Sequence, residues 1–271
     1  MTAQFIGVTE IAGQKISAEQ LDRTCHRYHW ATRRAEGRQV LEVACGAGLG
    51  IGLVAAAVAT MAAGDFSPEV LDNARAAVPE DVALSVFSAE DLPFEDGSFD
   101  TILMFEAIYY VPRPEQFFAE AHRVLRPGGE LLLVTCNKDL FDFTPSPFSH
   151  CYYGVLELGE ALGRFGFATR FYGYTEVGRL PLRQRVLRPI KAIAGRLGLI
   201  PRTMHGKSWL KKLFFGRMTE MPASIAELAY SYSEPVPLAA DRADKLHKVI
   251  YCIATRDASA SSGTNLEGLP S

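Results

Sequence analysis

Short apolar runs alternate with stretches of helical periodicity through most of the chain. Residues 40–43 form a β-rich apolar run between turn residues, which is typical of a buried strand. Small residues at helical spacing follow over 48–59, and residues 60–63 predict a second strand that stops at a glycine–aspartate pair. Residues 68–78 are then predicted as a helix, because Ser67 can cap it and a proline occupies its first position.

The alternation continues toward the carboxyl end. Further strands are predicted over 82–87, 101–105 and 130–135 and in "FATRFYGY" and "KVIYCIATR", with helices over 115–125 and 154–165. Strand–helix alternation at this rhythm is typical of a parallel sheet with helices on both faces. The pattern predicts an α/β, doubly wound, Rossmann-like fold with a seven-stranded, mostly parallel sheet.

Composition changes this picture little. With 271 residues, 48% of them hydrophobic, the chain can bury a full core, and its net charge of −3 excludes a globally basic nucleic-acid binder. The five cysteines form no CxxC pair, and the amino-terminal segment lacks an apolar signal-peptide core, so we expect reduced thiols and a cytoplasmic protein. Residues 43–64 are uncharged and long enough to cross a bilayer, but their crowded glycines favour a buried strand–turn–helix–strand.

The stretch "VLEVACGAGLG" at 40–50 carries the first candidate chemistry. Ligands of doubly wound sheets lie beyond the carboxyl ends of the strands, and glycines let the backbone of this turn approach one. A nicotinamide dinucleotide would need glycine where Ile51 or Leu53 stands, and no Gly-Lys-Ser/Thr phosphate loop follows. The Glu42 carboxylate would repel a pyrophosphate, but it suits a cation such as the ammonium group of a methionine-type ligand.

Asp65 ends the second predicted strand at the same edge of the sheet. An acid at this place can accept hydrogen bonds from both ribose hydroxyls, and Phe66 beside it could cover an adenine face. A nucleoside joined to a cationic amino acid satisfies Glu42, Asp65 and Phe66 together. The residues therefore predict S-adenosyl-L-methionine as the cofactor.

Five blocks in order carry a resemblance to a known family: "VLEVACGAGLG", "GDFSPEVLDNAR", "SAEDLPFEDGSFD", "FEAIYYV" and "EAHRVLRPGG". Over about 40–135 the sequence resembles the class I S-adenosylmethionine-dependent methyltransferases, in the ubiquinone and menaquinone methyltransferase-like branch of methyltransferase type 11. The resemblance implies that the cofactor is held by Glu42, Gly46 and Gly48 at its methionine half, Asp65 at the ribose, Ala89 and Glu90 beside the adenine, and Phe105.

Two positions depart from the family pattern. Ala44 stands where the family usually has glycine, and Ser88 stands where an Asp or Asn often contacts the adenine. Glu106 recurs in the family's fourth block, where we expect it to support the site without touching the ligand.

Methyl transfer to a hydroxyl group needs a general base, whereas an amine acceptor needs only its neutral form. The candidates are His26 and His29 in "CHRYHW", Tyr109 and Tyr110 in "AIYYV", and His150 in "SPFSHCYY", since each segment is expected near the cleft. The family often has histidine where Tyr109 and its neighbour stand, so the resemblance assigns no base. No Cys/His cluster has metal-ligand spacing, and we expect no metal.

Residues 179–219 are the most distinctive segment. They carry eleven Lys and Arg and no acidic residue, which leaves the remainder of the chain at −14 (17 minus 31). Three interpretations stay open: a helical cap that shows its charges to water, a site for an acidic or lipid-linked acceptor, and peripheral contact with an anionic membrane through 179–217. All three place the acceptor under this insert.

These patterns predict five parts: an amino-terminal helical lid (1–37), a cofactor-binding core (38–177), a basic helical insert or cap (178–233), the last strand (234–257) and a disordered tail (258–271).

The predicted function is methyl transfer to a small molecule, with oxygen favoured, in the biosynthesis of a glycan, a lipid-linked precursor or a natural product. C-methylation of a lipid-like quinone and a non-catalytic interaction protein are the alternatives. The Asn/Asp-Pro-Pro-aromatic block of nucleic-acid amino methyltransferases is absent, so we expect no nucleic-acid partner. The pattern leaves the oligomeric state open.

Overall fold

The computed structural model describes residues 9–75, 77–146, 148–177 and 218–258. Its helices are α1 (Ala18–Ala35), α2 (Ile51–Ala55), α3 (Pro68–Ala74), α4 (Pro114–Val124) and α5 (Val155–Gly163). Its strands are β1 (Lys15–Ser17), β2 (Gln39–Val43), β3 (Thr60–Asp65), β4 (Ala83–Val86), β5 (Phe99–Phe105), β6 (Leu125–Cys136), β7 (Phe167–Glu176), β8 (Met218–Glu220), β9 (Val236–Leu238) and β10 (His247–Arg256).

Eight of these strands form one sheet in the order β4-β3-β2-β5-β6-β10-β7-β9. The first five of them pair in parallel, while β10 runs antiparallel between β6 and β7, and β9 is antiparallel to β7. From β2 the chain moves outward to β3 and β4 and then returns to the other side of β2 as β5. This reversal of strand order is where an open α/β sheet forms its ligand crevice.

Alternation along the strands sends apolar side chains to two separate cores. On one face, residues such as Leu41, Ile102 and Leu133 pack against α4 and α5. On the other face, Val40 and Leu103 pack against α1, α2 and α3. Both faces are covered, which is why the central strands are nearly continuous hydrophobic runs.

The long helix α1 is fixed at its start and in its middle. The Ser17 side chain caps it by accepting a hydrogen bond from the backbone N–H of Gln20 at 3.1 Å. Trp30 is fully buried and meets the ring of Tyr251 edge-on, with centroids 4.9 Å apart. This packing holds the preceding turns of α1 over the carboxyl edge of the sheet.

The doubly wound, mostly parallel sheet is confirmed, with three differences. The sheet has eight strands rather than seven, because the three-residue strand β9, too short to show a pattern, adds to its edge. Helix α2 is shorter than 48–59, because Gly48 takes a φ of 71° and belongs to the turn before it. Strand β6 begins directly after α4, so "RPGG" lies inside the strand.

The ends of the chain and the basic insert are described only in part. Strands β1 and β8 pair antiparallel as a separate small sheet, which joins the segment before α1 to the segment after the insert. Residues 178–217 and 259–271 lie outside the described ranges, and with them most of the predicted helical insert and tail. Within the described ranges, no helix combines the length and the apolar character needed to cross a membrane.

Candidate active site

A cavity of about 350 Å³ opens at the carboxyl ends of β3, β2, β5 and β6. Each strand end contributes a wall residue: Asp65, Cys45, Glu106 and Cys136. Helix α1 and the segment before it close the cavity from the side with Glu10, Gln20, Arg23, Arg27 and Tyr28. The crevice predicted from the sheet topology is therefore present, and it contains both acidic and basic side chains.

The turn after β2 takes a backbone path that only small residues allow. Ala44, Gly46 and Gly48 have φ angles of 58°, 58° and 71°. A Cβ at Gly48 would lie 2.8 Å from a methyl group of Val78, and one at Gly50 would lie 2.3 Å from the ring of Tyr28. The glycines thus serve both the left-handed backbone and the close packing of α1 and the segment after α3. Ala44 takes the left-handed conformation without being glycine, at a cost of about 1 kcal/mol.

Asp65 ties this turn to the end of β3. Its carboxylate accepts hydrogen bonds from the backbone N–H of Gly46 at 3.1 Å and of Ser67 at 3.0 Å. Burial raises the pKa of Asp65, and these amide hydrogen bonds partly offset the rise. The carboxylate also lines the cavity, so it can accept further hydrogen bonds from a ligand there.

Glu42 lies beneath Tyr28 rather than on the cavity wall. It points to the α1 face of β2, where the Tyr28 hydroxyl donates a 2.6 Å hydrogen bond to its Oε1. Oε2 is buried with no hydrogen-bond partner among the described residues. Burial raises the pKa of Glu42 to about 7, against the opposing effects of Tyr28 and Arg27. Tyr28 lines the cavity and therefore separates this carboxylate from its interior.

Glu106 and Tyr109 form a hydrogen-bonded pair on the opposite wall. The Tyr109 hydroxyl donates to Glu106 Oε2 at 3.1 Å, and its ring stacks on Tyr152 with centroids 4.8 Å apart. Glu106 has a φ of 52°, an uncommon conformation for a residue with a side chain. Burial raises the pKa of its carboxyl, and the charges of Arg23 and Arg27 partly oppose that rise.

The side chains of α1 add a second charged group to the cavity. Arg27 Nη2 lies 2.5 Å from Glu10 Oε2, and Gln20 and Thr24 also donate to that carboxylate, at 3.1 and 3.2 Å. Burial acts to raise the pKa of Glu10, but the charges of Arg27 and Arg23 and the hydrogen bonds from Arg27 and Gln20 together outweigh it, so the pKa is lowered. Arg23 lies one turn before Arg27 and lines the same cavity without a hydrogen bond or ion pair to any described residue.

The structure brings some of the sequence-predicted cofactor residues to the cavity and not others. Gly46, Asp65, Phe66 and Phe105 line it, and Phe66 is 42% exposed at its rim. Glu42, Gly48, Ala89 and Glu90 do not line it. Gly48 lies in the turn with its Cα packed toward Val78 and Ala74. Glu90 accepts hydrogen bonds from the backbone and side chain of Arg113. The direct contacts of these four with a cofactor stay predictions.

Of the candidate bases, Tyr109 and Tyr110 line the cavity, and the three histidines do not. His29 stacks on Tyr230 with centroids 5.0 Å apart, and burial lowers its pKa. His26 is fully buried against Tyr174 and bonds to the Tyr251 hydroxyl at 2.7 Å. His150 is exposed and bonds through its backbone N–H to the Tyr109 carbonyl at 2.7 Å. A catalytic role for His29 or His150 stays a prediction.

Sequence reasoning missed several side chains of the cavity. The charged and polar members from α1 are Gln20, Arg23 and Arg27, at spacings of three and four residues. That spacing marks one helix face, so a polar stripe along one side of α1 was a usable signal. Glu10 had a weaker signal, because it lies in no pattern that tells which way its side chain points. Glu106 was expected only to support the site, and the structure places it on the cavity wall.

This geometry fits a nucleoside joined to an amino acid. The Asp65 carboxylate at the end of β3 lies beside the glycine turn at Gly46, whose backbone lines the cavity. The partly exposed ring of Phe66 follows directly after Asp65. Ribose hydroxyls, an amino-acid moiety and a base find complementary groups there. The fold and site together define a doubly wound α/β nucleoside-binding domain, with S-adenosylmethionine as the ligand that fits.

Comparison with known proteins gives the family. Residues 41–133 match the model of a methyltransferase domain. An uncharacterized methyltransferase of Mycobacterium tuberculosis is 39% identical over 137 residues, covering 50% of this chain and 51% of the relative. A ubiquinone biosynthesis O-methyltransferase of Xanthomonas oryzae is 36% identical over 132 residues, covering 47% and 53%. The chain spans about half the length of the relatives it matches.

Solved structures agree on the fold. The YcgJ protein of Bacillus subtilis superposes with a TM-score of 0.54 at 17% identity, covering 86% of this chain and 98% of that one. An S-adenosylmethionine-dependent methyltransferase of Mesorhizobium loti gives 0.51 at 16% identity, covering 84% and 98%. Residues 41–133 therefore match a methyltransferase domain, and the resemblance to S-adenosylmethionine-dependent methyltransferases seen in the five sequence blocks is confirmed. The family implies S-adenosylmethionine as the cofactor.

Proposed function

We propose that this chain catalyses methyl transfer from S-adenosylmethionine to a small-molecule acceptor, with an oxygen atom favoured as the methyl-accepting atom. The observation that carries the proposal is one cavity with two distinct ends. Asp65 and the glycine turn lie at one end, and the hydrogen-bonded Glu106–Tyr109 pair lies at the other. The Asp65 end suits the nucleoside of the cofactor. The Glu106 end offers a carboxylate that can accept a proton from the acceptor.

The preference for oxygen has two supports. The relatives from Xanthomonas are named ubiquinone biosynthesis O-methyltransferases and share 36% identity over the domain. An oxygen acceptor also needs a base, and the cavity presents a buried carboxylate in Glu106. Biosynthesis of a glycan, a lipid-linked precursor or a natural product is the setting we propose.

The residues divide the work as follows. Bound S-adenosylmethionine supplies an electrophilic methyl group, and the protein aligns the acceptor with it. Glu106 accepts the proton of the acceptor hydroxyl, and its raised pKa brings it closer to neutrality, where a general base works best. The hydrogen bond from Tyr109 fixes the direction of that carboxylate. Asp65 accepts hydrogen bonds from the ribose while it holds the glycine turn.

Titration calorimetry tests the cofactor part first. We expect the purified chain to bind S-adenosylmethionine and its demethylated product in the micromolar range, about −8 kcal/mol, and to show no heat with NAD. Binding of NAD in place of the other two would contradict the proposal. Acceptor screening then follows release of the demethylated product across hydroxylated small molecules, with matched amines as the comparison.

A further inference from the structure

Arg23 is a cationic side chain that lines the cavity without an anionic partner in the part of the chain that the structure describes. It lies on α1 one turn before Arg27, and both guanidinium groups line the cavity. Arg27 forms an ion pair with Glu10. The Glu10 carboxylate also accepts hydrogen bonds from Gln20 and Thr24. Among the described residues, no carboxylate lies within ion-pair distance of Arg23. A guanidinium has five donors to satisfy, so a cavity that presents one in this way is suited to an anion.

The rest of the chain offers almost no acid to complete this site. Outside the described ranges lie residues 1–8, 76, 147, 178–217 and 259–271, and the sole acidic side chain among them is Glu267. The basic segment 179–217 contributes further positive charge rather than a counter-ion. Apart from Glu267, a direct anionic partner for Arg23 can therefore come only from a bound molecule.

The position of Arg23 distinguishes it from Arg27. The charge of Arg27 acts on Glu42, near the glycine turn, as well as on Glu106. The charge of Arg23 lowers the pKa of Glu106 and Cys136, at the ends of β5 and β6, against the larger effect of burial, and it also acts on Glu10 and Tyr251. Arg23 therefore belongs to the Glu106 end of the cavity, away from Asp65 and the nucleoside side.

We propose that Arg23 binds an anionic group, a carboxylate or a phosphate, on the methyl acceptor. The inference rests on the proposed function and narrows its substrate class to hydroxylated acids or phosphate esters. The planar fork of the guanidinium matches either group with two parallel hydrogen bonds, which fixes orientation as well as affinity. An acceptor held in this way presents its hydroxyl beside Glu106.

Simple anions test the site without knowledge of the true acceptor. The full chain, saturated with the demethylated cofactor, is titrated with benzoate, phenyl phosphate and the uncharged benzamide. We expect at least one anion to bind about tenfold more tightly than benzamide. Arg23→Met should abolish that preference, and Arg23→Lys should keep part of it, since lysine retains the charge but not the fork. The stronger anion shows whether the group is a carboxylate or a phosphate.

Arg33→Met is the matched control, because Arg33 lies on the same helix with its guanidinium 4.5 Å from the ring centre of Tyr232, outside this cavity. It removes the same charge and should leave the anion preference intact. Equal anion binding by the wild type and Arg23→Met, including no binding by either, overturns the proposal. Removal of residues 259–271 provides one further check: if truncation raises anion affinity in the wild type alone, Glu267 is the partner of Arg23 and the proposal fails.

Cofactor titration separates this inference from the proposed function. Arg23→Met should bind S-adenosylmethionine within about twofold of the wild type, since its target is the acceptor. A loss of about tenfold or more would assign Arg23 to the cofactor's own carboxylate and overturn the inference while leaving methyl transfer intact. Failure of the wild type to bind the cofactor would instead overturn the proposed function.

Discussion

The two walls of the cavity are built in different ways. The glycine-turn wall (Ala44, Gly46, Asp65) comes from two short segments directly after β2 and β3, and a backbone amide bonded to one carboxylate holds it together. The Glu106 wall (Glu106, Tyr109, Cys136) comes from the ends of β5 and β6 and from the residues after β5, and Arg23 of α1 adds to the same end of the cavity.

The difference follows the task of each wall. A cofactor shared across a family can be held by a backbone path, which depends on small residues in one contiguous stretch. An acceptor that differs between relatives must be recognised by side chains, which can change without disturbing the sheet. Substitutions should therefore affect the two walls in separable ways.

The largest effect is expected at the Glu106 wall. Glu106→Gln keeps the shape and the hydrogen bond from Tyr109 but removes the base, so turnover of a hydroxyl acceptor should fall about 1,000-fold. Cofactor affinity should stay within about threefold, because the nucleoside side is unchanged. Tyr109→Phe, which removes only the orienting hydrogen bond, should cost about tenfold. Full turnover by Glu106→Gln would show that another group is the base.

Glu42 gives the next largest effect, on stability rather than turnover. Its pKa is raised from 4.5 to about 7 in the folded protein, so the folded state holds a proton that the unfolded state releases. Stability from this group is complete below pH 4.5 and is lost as pH rises through about 7, by about 3 kcal/mol in the free energy of unfolding. Denaturant titrations from about pH 5 to about pH 8 should show this decline in the wild type and a flatter curve in Glu42→Gln. Parallel curves would mean that Glu42 is ionised in the folded protein.

Asp65→Ala should break the glycine-turn wall without removing the base. It deletes the ribose acceptor and the bond to the Gly46 amide, so affinity for S-adenosylmethionine should fall about 100-fold in calorimetry. Asp72→Ala is the matched control, because Asp72 is an exposed acid on α3 whose ion pair among the described residues is with Arg75 alone. Unchanged cofactor binding in Asp65→Ala, with the fold intact, would move the nucleoside away from β3.

The smallest effect is expected from Ala44→Gly. The φ of 58° is strained for alanine and ordinary for glycine, and relief of that strain outweighs the greater flexibility of glycine in the unfolded chain. Unfolding free energy should rise by up to about 1 kcal/mol, measured by chemical denaturation with cofactor affinity unchanged. A loss of stability would show that packing of the Ala44 methyl group stabilises the fold by more than the strained backbone destabilises it.

The sequence predicted the glycine-turn wall better than the Glu106 wall. Gly46, Asp65 and Phe66 were expected at the cavity and lie there, because each stands at or just after the end of a strand that the apolar pattern marks. His29 was proposed by position in the chain, yet it stacks on Tyr230 on another side of α1. Which side of a helix faces a cavity depends on how the helix packs, and a count of residues to the nearest motif does not contain that information.

What the sequence determined by itself was the order of strands and helices, the crevice turn and the family, because each depends on residues close together in the chain. What only the tertiary structure decided was the pairing of distant side chains. It placed Tyr28 over Glu42, Glu10 against Arg27, and Arg23, which has no ion pair with a described residue, at the same end of the cavity as Glu106. Burial and long-range contacts set those pairings and the pKa values that follow from them, and the one-dimensional pattern of apolar positions records neither.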